Sequence, residues 1–205
     1  FISGKLIFLS GSPVLTKKAG IFTGRLSGIE NHHVPAYLRK SQMPSWETNC
    51  IEDWEKKVEK VSQETIKEEM AAIGGIPPWV VMYFEKLLYL SGKKTVSDIF
   101  PSFSLFVYGG VNFSPYKNVF KKLIGKKIDS IEYYPASEGF FAYQDSQKEE
   151  GLLIQLNSGI FYEFIELSEM SKQDPKRISI KNVELNKNYV LIVSTNAGLW
   201  GYNTG

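Results

Sequence analysis

The sequence predicts an α/β protein whose first half alternates strands with helices and whose second half is mostly antiparallel β. Three observations carry this expectation: apolar runs that end at glycine, serine or proline, stretches between them with apolar residues at three- and four-residue steps, and short β-rich runs beyond residue 138. With 205 residues and 43% hydrophobic content, the chain can bury a sizeable core. The change of character divides it into an α/β region, residues 1–145, and an antiparallel region, residues 146–205.

Residues 5–9, Lys-Leu-Ile-Phe-Leu, read as a short buried strand that ends in Ser10-Gly11-Ser12-Pro13. Residues 20–28 carry three glycines and read as a turn-rich connection, followed by loop through His32, His33 and Pro35. From Ile51 the pattern changes: Trp54, Val58, Val61, Thr65, Ile66, Met70 and Ile73 follow at three- and four-residue steps with Glu and Lys between. This predicts an amphipathic helix of about five turns that stops at Gly74-Gly75 with a left-handed cap. Pro77-Pro78 suits the first turn of a second helix, apolar on nearly every face over residues 79–90 and stopped by Ser91-Gly92, so it is expected to be central and buried.

Residues 105–108 form a strand running into Gly109-Gly110, residues 116–124 look helical, and residues 128–134 return to strand. Beyond Glu138 the β-rich runs are 140–143, 152–156, 160–167, 178–183 and 189–194, with 144–151 and 168–177 as exposed polar loops.

Composition excludes several function classes. The 24 basic and 22 acidic residues are spread along the chain, so nothing calls for a nucleic-acid partner. Cys50 is the only cysteine, which leaves no internal disulfide and no cysteine-based zinc site and fits a reducing, cytoplasmic setting. His32 and His33 are adjacent and point apart on any regular element, which fits a surface loop better than a metal site. No apolar run reaches 18 residues and the N-terminus lacks a signal-peptide layout, so no membrane role is expected. A start at Phe1 and a stop at Thr204-Gly205 after an apolar strand suggest a piece of something larger.

The most informative segment is Tyr133-Tyr134-Pro135-Ala136-Ser137-Glu138-Gly139, at the end of one strand and the start of another. A ring for a base, a hydroxyl for phosphate and a carboxylate for magnesium stand within five positions. A Pro-Ala-Ser-Glu-Gly run is also an ordinary turn between strands. Two further strand ends deliver small or polar groups, Gly109-Gly110 and the segment 195–205, and ligands gather at such ends in open α/β sheets.

In order and spacing, seven segments resemble the Gretchen Hagen family of auxin-responsive acyl acid–amido synthetases, within the adenylate-forming superfamily of acyl-CoA synthetases and luciferases. They are Leu26-Ser27-Gly28-Ile29, Trp54-Glu55-Lys56-Lys57, Gly75-Ile76-Pro77-Pro78-Trp79, Tyr108-Gly109-Gly110-Val111, Tyr134-Pro135-Ala136-Ser137-Glu138-Gly139, Glu163-Phe164-Ile165, and Gly198-Leu199-Trp200-Gly201-Tyr202-Asn203-Thr204-Gly205. The resemblance implies that the chain is part of the large N-terminal domain of an adenylate-forming enzyme. It also implies that a small carboxylic acid is activated with ATP and Mg2+ and its acyl group passed to an amino acid. A thiol acceptor, as in acyl-CoA synthetases, and a non-catalytic acid-binding protein are the alternatives.

The resemblance implies residue roles as well. Tyr134 would stack on adenine within the segment that includes Pro135 and Ala136, Ser137 would bond the phosphate region, and Glu138 would hold magnesium. Gly109, Gly110 and Val111 would line the adenine and acyl site, and Tyr202 and Gly205 belong to the last nucleotide motif. Three departures stand out: no Ser/Thr/Gly-rich phosphate loop occurs in these residues, the aspartate that follows the last motif's glycine is not in the sequence, and Gly201 stands where arginine is usual. An isolated piece of this kind is expected to be catalytically silent.

Overall fold

The computed structural model describes residues 4–149 and 151–204. The chain divides into two compact units, Phe1–Tyr133 with Gln144–Gly151, and Tyr134–Tyr143 with Leu152–Gly205.

The first unit opens with strand β1 (Lys5–Leu9), the short pair β2 (Thr16–Lys18) and β3 (Ile21–Thr23), and helices α1 (Leu26–His32) and α2 (Ala36–Arg39). Next come β4 (Gln42–Met43), α3 (Trp46–Asn49), α4 (Trp54–Thr65), β5 (Met70–Gly75), α5 (Pro77–Ser91) and α6 (Val96–Ile99). The unit closes with β6 (Leu105–Gly109), α7 (Lys117–Ile124) and the first residues of β7 (Asp129–Ala136). The strands lie in the order β4-β1-β5-β6-β7, each paired in parallel with the next, so the helices are the crossovers that parallel strands require.

The long amphipathic helix expected over residues 51–73 is two elements. Asp53 caps α4 by accepting from the Lys56 amide at 2.9 Å, and the helix ends at Thr65. The polar run Lys67-Glu68-Glu69 then gives way to β5, all six of whose residues are buried. A strand covered on both faces reads as a continuous apolar run, and here Met70 and Ile73 happened to extend the helical spacing of Val58 and Val61. Gly74 ends no helix. A Cβ there would stand 2.6 Å from the Phe8 ring and 3.1 Å from the Val107 carbonyl oxygen, so the glycine lets β1 and β6 close on β5.

A second correction concerns residues 20–35, read as turn and loop. They contain β3 and the helix α1, whose last residue is His32. Gly28 lies inside that helix, where a Cβ would be 3.1 Å from the Pro13 Cα; it marks a close packing contact, not a turn. The second predicted helix is present as α5, with Pro77 in its first turn and Gly92 at φ 66° as its left-handed cap. It is buried on one face, through Val80, Tyr83, Phe84 and Leu87, while Met82 and Tyr89 are exposed. Tyr83 and Thr65 share a hydrogen bond of 2.7 Å between α5 and α4, which satisfies both buried hydroxyls.

The second unit takes over at Tyr134 in β7 and continues through β8 (Gly139–Tyr143), β9 (Leu153–Ile154), β10 (Ile160–Glu166), β11 (Arg177–Ser179), β12 (Tyr189–Thr195) and β13 (Tyr202–Asn203). Strands β11-β10-β12-β13 form an antiparallel sheet, as the second half of the sequence predicts. Alternation along β10 and β12 sends Tyr162, Phe164 and Val193 into one cluster with Phe141, and Ile165, Val190 and Ile192 into another. The stretch 178–183 is strand only to Ser179, after which Ile180–Asn182 turns as a 3-10 helix.

Phe84 is fully buried, with ring centroids 6.0 Å from Phe103 and 5.6 Å from Phe120. Phe84→Ala is expected to lower the unfolding free energy by about 3–5 kcal/mol, read as a shift of the urea midpoint at unchanged slope.

Candidate functional site

Strands β1, β5 and β6 run parallel, so their carboxyl ends at Leu9, Gly75 and Gly109 lie along one edge of the first unit's sheet. At that edge Gly109 is buried, and Gly110 turns the chain at φ 82° with only Ile76 Cγ1, at 3.9 Å, near the place a Cβ would take. The turn needs the left-handed conformation and leaves open space beside the backbone. Val111, next in the chain, is exposed.

Tyr108 holds this strand end in place. Its ring stacks on Phe106 at 5.2 Å and lies 4.5 Å from Phe113, and its hydroxyl donates to Glu132 at 3.2 Å. Burial, then the Glu132 charge, pushes the phenol up to about 12.

In the second unit the segment 134–139 is both a turn and a display of side chains. Strand β7 continues through Pro135 and Ala136, so the turn is only Ser137 and Glu138, with Gly139 opening β8. A Cβ at Gly139 would stand 2.6 Å from Ile160 Cδ1, which explains the glycine by close approach. Ser137 is exposed and Glu138 half-buried. Tyr134 is 44% exposed, and its ring meets Phe141 edge-on at 5.3 Å. It also lines an apolar cavity of about 230 Å3 with Phe141, Tyr162, Tyr189 and Leu191.

Tyr202 lies in β13 opposite Val193 and is exposed, while Gly205 lies outside the described residues. Gly201 adopts φ 55°, and its amide donates to Ser194 Oγ at 2.8 Å. The Arg177 Nη1 stands 2.5 Å from where a Cβ at position 201 would be, and Arg177 pairs with Glu163 at 3.5 Å. A guanidinium from β11 thus occupies the surroundings of the glycine that replaces the expected arginine.

Lys57 escaped the reading of the sequence. It is 2% exposed, and its ammonium donates to the Ser10 carbonyl at 2.9 Å and the Asn49 carbonyl at 2.6 Å. Burial lowers its pKa to about 8, the Cys50 charge opposing this and the Arg25 charge adding to it. The signal was available: Lys57 falls three residues after Trp54 and four before Val61, on the apolar stripe of α4.

Among the described residues, no group of three or more His, Cys, Asp or Glu side chains is placed to hold a metal ion. No helix among them is long and apolar enough to cross a membrane. His32 donates to or accepts from nothing catalytic: its Nε2 is 3.0 Å from the Pro13 carbonyl oxygen, and its ring meets Trp46 edge-on at 5.0 Å.

Residues 153–205 match the GH3 family central domain. This is the family that the ordered motifs resemble. Among solved structures, GH3.15 acyl acid amido synthetase aligns over 99% of this chain and 45% of its own, at 13% identity and a TM-score of 0.68. The AtGH3.15 acyl acid amido synthetase in complex with 2,4-DB aligns over 98% of this chain and 44% of its own, at 13% identity and a TM-score of 0.70. The chain therefore shares the mixed α/β fold of these adenylate-forming enzymes and spans less than half of their length. No curated protein sequence matches it significantly.

Below about pH 8 Lys57 is charged in both the folded and unfolded chain, and its burial penalises folding. Above that pH the folded chain gives up the proton while the unfolded chain keeps it, up to about pH 10.4. The difference in unfolding free energy between the natural chain and Lys57→Met is therefore expected to move in favour of the natural chain from about pH 8 to about pH 9.5. Urea titrations across that window check this.

Proposed function

We propose that this chain is part of an ATP-dependent acyl acid–amido synthetase, which joins a small carboxylic acid to an amino acid through an acyl-adenylate. The observation that carries the reading is the match of residues 153–205 to the GH3 family central domain, continued along 99% of the chain by the fold of a GH3.15 acyl acid amido synthetase. The solved structure with 2,4-DB supports a small acid as the class of substrate. The cytoplasm is the proposed setting, in keeping with the single free cysteine.

In the first half-reaction a carboxylate oxygen attacks the α-phosphate of ATP and pyrophosphate leaves. In the second, the amine attacks the acyl carbonyl, AMP leaves, and the amine's proton is lost to form the amide. Tyr134 offers a half-exposed ring to adenine, with Pro135 and Ala136 keeping its strand extended, and Ser137 offers a hydroxyl to the phosphates. Gly109, Gly110 and Val111 present backbone at a sheet edge where Gly110 leaves room for close approach. Tyr202 and Gly205 complete the nucleotide-binding set.

The donor set fits magnesium. That ion commonly takes one or two protein carboxylates and completes its shell with water and substrate phosphates, and Glu138 supplies one carboxylate in a two-residue turn beside the exposed Ser137 hydroxyl. When bound with the nucleotide, magnesium neutralises charge that develops on the phosphates. The chain's own contribution is to place Glu138 and Ser137 in the turn between two strands before the charge develops.

The test is acid-dependent exchange of pyrophosphate into ATP, on a protein that carries this chain at the full length of the aligned synthetases. Glu138→Gln is expected to lower the exchange rate about 100-fold or more with the fold intact. Tyr134→Ala is expected to raise KM for ATP about tenfold, the loss of one stacked base. Exchange at the natural rate in Glu138→Gln would remove Glu138 from the site, and an unchanged KM would assign Tyr134 to core packing.

A further inference from the structure

A groove of about 580 Å3 lies in the first unit between α7 and the start of β7. Its floor is apolar: Phe106, Phe120 and Ile124 are buried, and the Phe120 ring lies 4.6 Å from that of Phe106 and 5.0 Å from that of Phe113. The groove shares no residue with Gly109, Gly110, Val111 or the segment 134–138, so its occupancy is testable without the adenylation reading.

The rim is cationic. Lys117, Lys121, Lys126 and Lys127 line the groove, all exposed, and no carboxylate joins them. Acids and bases nearly balance over the whole chain, yet residues 117–127 hold five lysines and no acidic residue. Lys126 donates to the Pro101 carbonyl at 2.6 Å, while Lys117, Lys121 and Lys127 make no hydrogen bond or ion pair among the described residues. Part of this pattern serves the helix itself, since Lys121 stands in the last turn of α7, where a cation suits the negative end of the helix dipole. Lys117 does the reverse. It is the first residue of α7, at the positive end, and lies one turn before the like charge of Lys121. Both placements disfavour the helix taken alone, and an acidic partner reverses both.

The spread of charge selects the kind of partner. The eight residues of α7 make a helix about 12 Å long, with lysine at its start and again just past its end. One anionic head group meets only one end of such a rim. An extended peptide advances about 3.3 Å per residue, so roughly four residues span the groove, and their alternating side chains can set carboxylates on the lysines and an apolar group on the floor. A nucleic acid needs open ring faces on which bases stack, and Phe106 and Phe120, 1% and 3% exposed, offer almost none. A flat bilayer surface meets the rim without reaching the floor.

We propose that the α7 groove docks a short acidic peptide segment of a partner protein, with its carboxylates on Lys117, Lys121 and Lys127 and an apolar side chain against Phe113 and Phe120. The far end of the groove is tied in place beforehand. The Ser97 hydroxyl donates to the Ile124 carbonyl at 2.5 Å, and the Lys126 bond to Pro101 fixes the segment that carries Lys127. A site held in this way loses less freedom on binding.

Fluorescence anisotropy tests the proposal on the protein that carries this chain at the full length of the aligned synthetases, near neutral pH and without ATP. The probe is a labelled peptide in which glutamate alternates with leucine and phenylalanine. It is expected to bind with Kd below about 100 μM at low salt, and about fivefold or more weakly at 300 mM salt. Glutamine in place of glutamate, or glycine in place of the apolar residues, is expected to weaken it at least tenfold. Lys117→Glu is expected to weaken the probe tenfold or more without lowering the thermal midpoint, because a carboxylate suits the first turn of α7 and precedes Lys121 by one turn. Lys127→Glu is expected to weaken it likewise, and Lys18→Glu, an exposed change in β2, to leave it unchanged. Absence of saturable binding, equal affinity for the glutamine peptide, or full affinity in Lys117→Glu would each overturn the proposal. Tighter binding of a single-stranded DNA oligomer or of phosphatidylserine vesicles at the same lysines would overturn it in favour of that partner. Because no nucleotide is present, a failure of the adenylation reading leaves this result untouched.

Discussion

All six residues of β5 are buried, and two of them are glycine, so the backbones of β1 and β6 can press against a strand that has no side chain at the contact. Phe8 pairs with Gly74 on one side, and Val107 pairs with it on the other. That register aligns the ends of three strands, and each end is followed by a residue suited to a ligand edge: Ser10-Gly11, Ile76-Pro77 and Gly110. A side chain at position 74 would open both interfaces at once. Helix α5 starts directly from this strand, which brings Trp79 to the same edge, while its inner face carries Tyr83, Phe84 and Leu87 into the core.

The elements whose signals are local were legible in the sequence. Pro77-Pro78 and Gly92 bracket α5, and alternation along β10 and β12 marks strands whose two faces pack differently. β5 was hidden because Met70 and Ile73 continue a helical spacing by coincidence and Gly74-Gly75 imitate a helix stop. Only the burial of Ala71 and Ala72, invisible to periodicity, distinguishes the two. α1 was hidden because its glycine is a packing contact with Pro13, a relation between residues far apart in sequence.

The same divide runs through the candidate sites. Tyr134, Ser137 and Glu138 are contiguous, so their joint chemistry could be read directly, although the strand extends two residues further than expected. Lys57 is held by carbonyls from two other parts of the chain, of Ser10 and Asn49, and only the misplaced charge on the apolar stripe of α4 hinted at it. Gly201 shows the limit of reading one position alone. The arginine absent there has a spatial counterpart in Arg177, 24 positions earlier (201 − 177), held by Glu163.

The proposed activity is formation of an acyl-adenylate on a site that includes the β7–β8 turn. Mass spectrometry of a single-turnover mixture of the full-length protein, ATP, magnesium and a small carboxylic acid measures it most directly. An acyl-AMP species is expected to form with release of pyrophosphate, and to disappear when amino acid is added as the amide forms. Release of ADP and phosphate in place of AMP and pyrophosphate, or an unchanged acid with a folded, nucleotide-bound protein, would contradict it.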